Sequence, residues 1–327
     1  MALRTGGSAL RLGFDVGGTK VALALGDEAG GVLGRQRIAF PGTGRPRDDV
    51  GQMLEAARAL LAKHGATFAD LAGVGLALPG PMDAEAGRVL SPPNLPGWHD
   101  VAIADWVAEA TGAPVATEND ADAAALAEWR HGAARGAEHA VFLTMSTGVG
   151  AGLVLGGRVH RGRAGAGEVG HAPVEWEGEA CACGLRGCLE AYVGGAAWAR
   201  RLRRLAPDGG RVVELAGSKG AVTPEHLVAA AGEGDPFALA ELERWNTYLA
   251  RGIAWIEMAL SPDVVVLGTI ARAAADLCLG PVRRLVAEQT WGLGGGPRIV
   301  AGELGDDLPD RAALAVAEFA VERAAAS

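Results

Sequence analysis

Lysine is nearly missing from this chain. Of thirty Lys and Arg residues only Lys20, Lys63 and Lys219 are lysine, no basic run occurs, and the net charge is -9. An electrostatic footprint for nucleic acid is therefore not expected. Long apolar runs are lacking as well: the most hydrophobic stretches, Val141 to Leu155 and Val264 to Ile270, are cut by Thr, Ser and Gly. Both fall short of the roughly 18 uninterrupted apolar residues of a membrane helix, which excludes a spanning segment. Met1 to Leu10 carries Arg4 but no apolar core of signal-peptide length, so a cytoplasmic location is expected. Four cysteines in 327 residues are too few for a disulfide scaffold. Three of them crowd between Cys181 and Cys188, which turns the reading toward metal. With 49 % hydrophobic and 21 % charged residues, the composition is that of a folded protein.

What is present reads as an α/β chain. A strand to Asp15, a Gly17-Gly18 turn, a strand Lys20 to Leu25, a turn at Gly30-Gly31 and a strand Val32 to Phe40 make an antiparallel meander. Asp49 is read as the cap of a helix whose Val50, Met53, Leu54, Ala57 and Leu61 recur at helical spacing. A buried strand Val74 to Leu78, a helix Val101 to Ala110, a strand Pro114 to Thr117 and an Ala-rich helix from Asp120 to His131 follow. The opening plan then returns: a strand Val141 to Met145, a turn Ser146-Thr147-Gly148, a strand Val149 to Leu155, and Arg158 to Arg161. A duplicated domain with a cleft between lobes is expected, with lobes over 10–118 and 119–307. A helix opened by Asp235-Pro236 presents Leu242, Trp245, Leu249, Ile253, Ile256 and Leu260 as one core-facing stripe. It leads into a strand Asp263 to Leu267. A last helix within 308–327, regular from about Arg311, is expected to pack back on the first lobe.

Asp15-Val-Gly-Gly-Thr-Lys20 sets a carboxylate at a strand end and two glycines in the turn, where main-chain N–H groups can approach a polyphosphate. It is not a Walker loop, because a strand follows in place of a helix. Alone, it reads equally as a tight hairpin turn. The second turn, Ser146 to Gly150, strengthens the phosphate reading, since two such turns facing across a cleft could hold the ends of a triphosphate. Glu118-Asn119-Asp120 lies between a strand end and a helix start, where ligands of α/β folds meet the protein. Asp120 is there either a plain N-cap or a base that takes a hydroxyl proton.

Cys181-Ala-Cys183-Gly-Leu-Arg-Gly-Cys188 packs three thiols into one glycine-rich knuckle, with His171 ten residues upstream. Cys3His is a tetrahedral zinc set, and four protein ligands argue a structural ion. Glu168 and Glu190 lie close in sequence to these ligands, so the metal would position both as grips for vicinal sugar hydroxyls. The phosphate turns are expected to lie elsewhere. Cys278 stands alone and reads as core.

These motifs resemble those of the ROK family of sugar kinases and repressors, nearly end to end. Asp15 to Lys20 and Ser146 to Gly150 resemble its phosphate motifs, Glu118 to Asp120 its catalytic stretch, and Glu168-Val-Gly-His171 with Cys181 to Glu190 its zinc and sugar signature. The resemblance implies two ribonuclease H-like lobes of the actin and hexokinase superfamily, with ATP, Mg2+ and structural Zn2+. It implies Asp120 as base, with Asn94, Asn119, Asp120, Glu168, His171 and Glu190 on the sugar, and His171, Cys181, Cys183 and Cys188 on zinc. Asp15, Gly17, Gly18, Thr19, Lys20, Thr147, Gly148 and Gly268 would face the nucleotide and its Mg2+. Two departures stand out: Asp122 where the family more often has Asn, and Thr269 where a second glycine usually follows Gly268. The Ser91 to Trp98 loop looks like that of the family's glucokinases, so phosphorylation of the glucose 6-hydroxyl is expected, with N-acetylmannosamine or another hexose as the alternative. A homodimer or higher oligomer is expected. Fourteen residues precede Asp15, too few for the helix-turn-helix of the family's repressors.

Overall fold

Residues 9–163, 165–291 and 296–326 are described by a computed structural model. Most of the N-terminal stretch read for a leader, up to Ser8, lies outside the described residues, as does Ser327. The chain divides into two units: unit 1 runs to Arg135 and resumes at Leu304, and unit 2 is Gly136–Glu303.

In unit 1, short glycine turns force β1 (Leu10–Val16), β2 (Lys20–Gly26) and β3 (Val32–Ala39) into an antiparallel meander. After helix α1 (Pro46–Lys63), β4 (Leu71–Leu78) pairs parallel with β1. The small hairpin of β5 (Met82–Asp83) and β6 (Arg88–Val89) and helix α2 (Ile103–Thr111) lead to β7 (Val115–Asn119), parallel to β4. The sheet order is β3-β2-β1-β4-β7. Parallel pairing brings the C-terminal ends of β1, β4 and β7 to one edge, so Asp15 and Asn119 emerge on the same side of the sheet. Leu12, Phe14, Leu23, Leu76, Met53 and Trp98 fill the core beneath it.

Asp49 does not cap α1. The helix starts three residues earlier, with Pro46 in its first turn, and Asp49 is wholly buried. Its carboxylate accepts from the Thr43 N–H at 2.9 Å and the Trp98 Nε1 at 3.0 Å, so it anchors the loop that carries Asn94.

Unit 2 repeats the plan strand for strand. β8 (Ala140–Met145), β9 (Val149–Leu155) and β10 (Arg158–Val159) are antiparallel. After them come helices α4 (Glu190–Val193), α5 (Gly195–Leu205), α6 (Arg211–Ala216) and α7 (Pro224–Gly232). The long α8 (Pro236–Leu260) is capped by the Asp235 carboxylate on the Ala238 N–H. β11 (Val264–Leu267), α9 (Thr269–Ala273), α10 (Ala275–Gln289) and β12 (Arg298–Ala301) complete the unit. The order β10-β9-β8-β11-β12, with β8, β11 and β12 parallel, matches the first sheet in sequence and direction. Leu242, Trp245, Leu249, Ile253 and Ile256 of α8 are buried in the core of this unit.

The expected lobe boundary at 118/119 falls instead at 135/136, because α3 (Asp120–His131) belongs to unit 1. It lies along the C-terminal helix Leu308–Ala326, where Arg130 pairs with Glu318 at 3.1 Å and Glu322 at 2.6 Å, and His131 with Glu318 at 3.0 Å. That helix begins three residues before Arg311 and packs on β1 and β4. Its small residues make this possible: a Cβ on Gly13 or Gly75 would run into the backbone at Ala313, so two glycines and an alanine face set the close approach. No helix among the described residues is long and apolar enough to cross a membrane.

Candidate active site

The candidate residues of unit 1 gather on the β1–β2 turn. Asp15 is the sixth residue of β1, and the turn closes through the Gly17 N–H on the Lys20 carbonyl at 2.9 Å. Thr19 and Lys20 are exposed, and the Thr19 carbonyl accepts from Phe40 N–H. Neither glycine has a positive φ, so conformational freedom is not what the turn requires. It requires room: a Cβ on Gly18 would collide with the main-chain oxygen of Asn94. The Asn94 loop is held by buried Pro92, Leu95 and Trp98, which leaves Asn94 itself exposed beside the turn.

Across β4, α3 opens at Asp120. Its N-cap is Asn119, whose Oδ1 accepts from the Asp122 N–H at 2.8 Å while its Nδ2 donates to Asp122 Oδ2 at 2.7 Å. Asp122, 3 % exposed, thus acts on Asn119 directly. Asp120 is exposed, and its Oδ1 accepts from the Ala121 N–H at 2.8 Å. Glu118 is wholly buried. Burial, and next the Asp120 charge, push the Asp15 carboxyl up to about 6 from its ordinary 3.8, against the pull of Lys20 and Arg37. Two carboxylates that repel and share one sheet edge beside a polar turn are arranged to take a proton or a cation.

In unit 2 the knuckle brings His171, Cys181, Cys183 and Cys188 together, with one ligand atom from each lying within 4.8 Å of every other. Cys183 Sγ and Cys188 Sγ are 3.7 Å apart, and Cys181 Sγ lies 3.8 Å from His171 Nδ1. A tetrahedral zinc with Zn–S near 2.3 Å gives edges of about 3.8 Å, so the donors fit the ion in kind and in spacing. All four cysteines of the chain are free. Burial pushes the Cys188 thiol up to about 12, a cost that a bound cation holding the thiolate would offset. The other ring nitrogen of His171, Nε2, lies 3.9 Å from the exposed Glu168 carboxylate.

Glu190, two residues beyond Cys188, is not confined to the knuckle. Its Oε2 accepts from the Val149 N–H at 2.9 Å and its Oε1 lies 3.8 Å from Cys181 Sγ. A Cβ on Gly148 would meet Glu190 Oε2, so a side chain there would displace that carboxylate. The Gly195 and Ala196 N–H groups hold the Ser146 and Thr147 carbonyls at 2.8 and 3.0 Å. The second phosphate-type turn is therefore fastened to the knuckle segment, which corrects the expectation that the two lie apart. Among the described residues the Thr147 and Gly148 N–H groups remain open.

Beside this turn lies a largely apolar cavity of about 680 Å³, lined by Ser146, Thr147, Ala196, Val228, Thr269 and Ile270 among others. Of the expected nucleotide residues Thr147 lines this cavity and Gly268 does not, while the start of α7, whose Thr223, Pro224 and Glu225 form part of the wall, was missed. The signal was present. Thr223-Pro224 closes a capping box with His226, a start signature as plain as Asp235-Pro236. Gly268 donates to the Leu143 carbonyl at 2.8 Å, and Thr269 follows it into α9.

The chain is similar to known proteins over most of its length. The ROK family model matches residues 11–318. A glucokinase of Thermotoga maritima is 38 % identical over 285 residues, covering 85 % of this chain and 87 % of that protein. An N-acetylmannosamine kinase of Yersinia pestis is 33 % identical over 281 residues, with the same coverage. The crystal structure of a ROK family glucokinase from Streptomyces griseus in complex with glucose and AMPPNP is 30 % identical, covers 95 % of this chain and 100 % of that one, and superposes with a TM-score of 0.77.

Proposed function

The chain belongs to the ROK family, and on that premise we propose that it is a hexose kinase that transfers the γ-phosphoryl group of ATP to the 6-hydroxyl of glucose. The observation that carries the reading is the placement of Asp120 on the sheet edge it shares with Asp15 and the Gly17-Gly18 turn, with its helix capped by another residue. Asp120 takes the proton of the attacking hydroxyl as that oxygen displaces the nucleotide diphosphate in line. By the family resemblance Asn94 and Asn119 are the sugar-binding candidates of unit 1, and Glu168, His171 and Glu190 those of unit 2. The open Thr147 and Gly148 N–H groups receive phosphate oxygens, and the apolar cavity beside them takes the adenosine.

Mg2+ enters with the nucleotide and supplies counter-charge for the phosphoryl oxygens. Asp15 is the residue that would hold it through water, since a dication offsets both burial and the Asp120 charge. The Cys3His set would hold Zn2+ as a structural ion that keeps His171 and Glu190 in place.

The Yersinia relative supports a second substrate, N-acetylmannosamine, for the same chemistry. A coupled assay across a hexose panel, with ATP, ADP and polyphosphate as donors, tests both. Glucose with ATP is expected to give the highest kcat/KM, and no turnover of any hexose would overturn the reading.

A further inference from the structure

One backbone conformation at the unit 2 edge is out of the ordinary. Three described non-glycine residues have positive φ, and of these Thr269, at +40°, alone is β-branched, the side-chain class that tolerates the left-handed region least. Such a conformation persists only where something nearby requires it. The requirement is visible in the sheet. β8 and β11 run parallel and in register from Val264 with Ala140 to Leu267 with Leu143, and the Gly268 N–H continues the ladder onto the Leu143 carbonyl. One step further, the Met145 N–H would need a main-chain carbonyl from β11. There the chain has already turned away into α9, and the Thr269 Oγ1 supplies the acceptor instead, at 2.8 Å.

Met145 immediately precedes Ser146 and Thr147, which line the 680 Å³ cavity together with Thr269 itself. The Thr269 hydroxyl accepts from the Met145 N–H at the cavity wall. Glycine at 269 would relax the backbone and leave the Met145 N–H without its acceptor.

We propose that Thr269 is a positioning residue for the phosphoryl donor: its hydroxyl pins Met145 and so sets the Ser146–Gly148 turn against the cavity. This rests on the reading of that turn as the nucleotide's phosphate site. The left-handed backbone is then the cost of placing an oxygen where the ladder runs out.

The test is calorimetric titration of AMPPNP into the full chain at saturating glucose, with melting temperatures, for wild type, Thr269→Gly and Thr269→Ser. Thr269→Gly is expected to weaken AMPPNP roughly tenfold, by loss of one buried acceptor, while its melting temperature holds or rises and its glucose affinity is unchanged. Thr269→Ser keeps the hydroxyl and should bind AMPPNP as the wild type does. Wild-type nucleotide affinity in Thr269→Gly overturns this inference alone. A Thr269→Gly chain that unfolds, or loses glucose and AMPPNP in parallel, also overturns it by making the residue merely structural. A wild-type chain that binds no AMPPNP overturns the functional reading and this inference with it.

Discussion

Asn119 and Asp122 exchange two hydrogen bonds across the first turn of α3, one through the Asp122 main-chain N–H and one between the side chains. The helix start is closed by this pair. Asp120→Asn is therefore expected to hold or slightly raise the melting temperature, since it removes a charge that repels Asp15, and to lower kcat by ~10² or more, the usual range for a general base. Were Asp120 only a cap, the variant would keep its turnover too, since Asn caps a helix as well as Asp does, and steady-state kinetics beside thermal melts separate the two.

Asp15 makes stability depend on pH in a stated direction. Its folded value, about 6, lies above the ordinary 3.8, so the fold prefers the protonated acid. The contribution of this group to stability is full below about pH 4 and is lost as pH rises through about 6. Asp15→Asn cannot ionise, so relative to wild type it should gain on the order of 2 kcal/mol between pH 4 and pH 8. Denaturant melts without ligands at the two pH values measure this, and an equal difference at both would refute it. If Mg2+ needs the ionised Asp15, wild-type kcat/KM should also fall below about pH 6.

Metal loss should be felt at both substrates. Glu190 sits beside Cys188 and holds the Val149 N–H, so Cys183→Ser or chelation is expected to raise the KM for the sugar and for ATP together, with recovery on adding Zn2+ after chelation. Elemental analysis should find about one zinc per chain. Zinc-free protein with unchanged constants for both substrates would refute the structural role.

Gly148→Ala tests the same link by sterics. The new methyl would displace the Glu190 carboxylate, which is the far end of a flexible side chain and can move. The fold is expected to survive, while sugar affinity falls roughly tenfold with the lost charge-assisted hydrogen bonds. Unchanged sugar affinity by equilibrium titration would remove Glu190 from the sugar site.

Glucose is expected to be preferred over N-acetylmannosamine, on the strength of the loop that presents Asn94. A kcat/KM for N-acetylmannosamine at or above that for glucose would assign the second substrate.

Local chemistry was legible in the sequence because its partners are near in the chain. The Gly17-Gly18 turn, the Asp235 cap and the Cys181 to Cys188 knuckle each involve residues within a few positions, so spacing alone encodes the backbone geometry. The repeated strand, turn, strand plan was likewise visible, since short apolar runs bounded by turn glycines are local signals. Tertiary packing decided the rest. An alanine-rich helix such as α3 has no face distinctive enough to name its partner, and its packing on the C-terminal helix, where Arg130 and His131 pair with Glu318 nearly 190 positions away, assigns it to unit 1. The same holds for Asp49 on Trp98, Glu190 on Val149 and Thr269 on Met145, which lie 49, 41 and 124 positions apart. Each of these contacts satisfies a polar group that the fold has buried or left at the end of a ladder. Such a group has no partner to choose until the chain has folded around it.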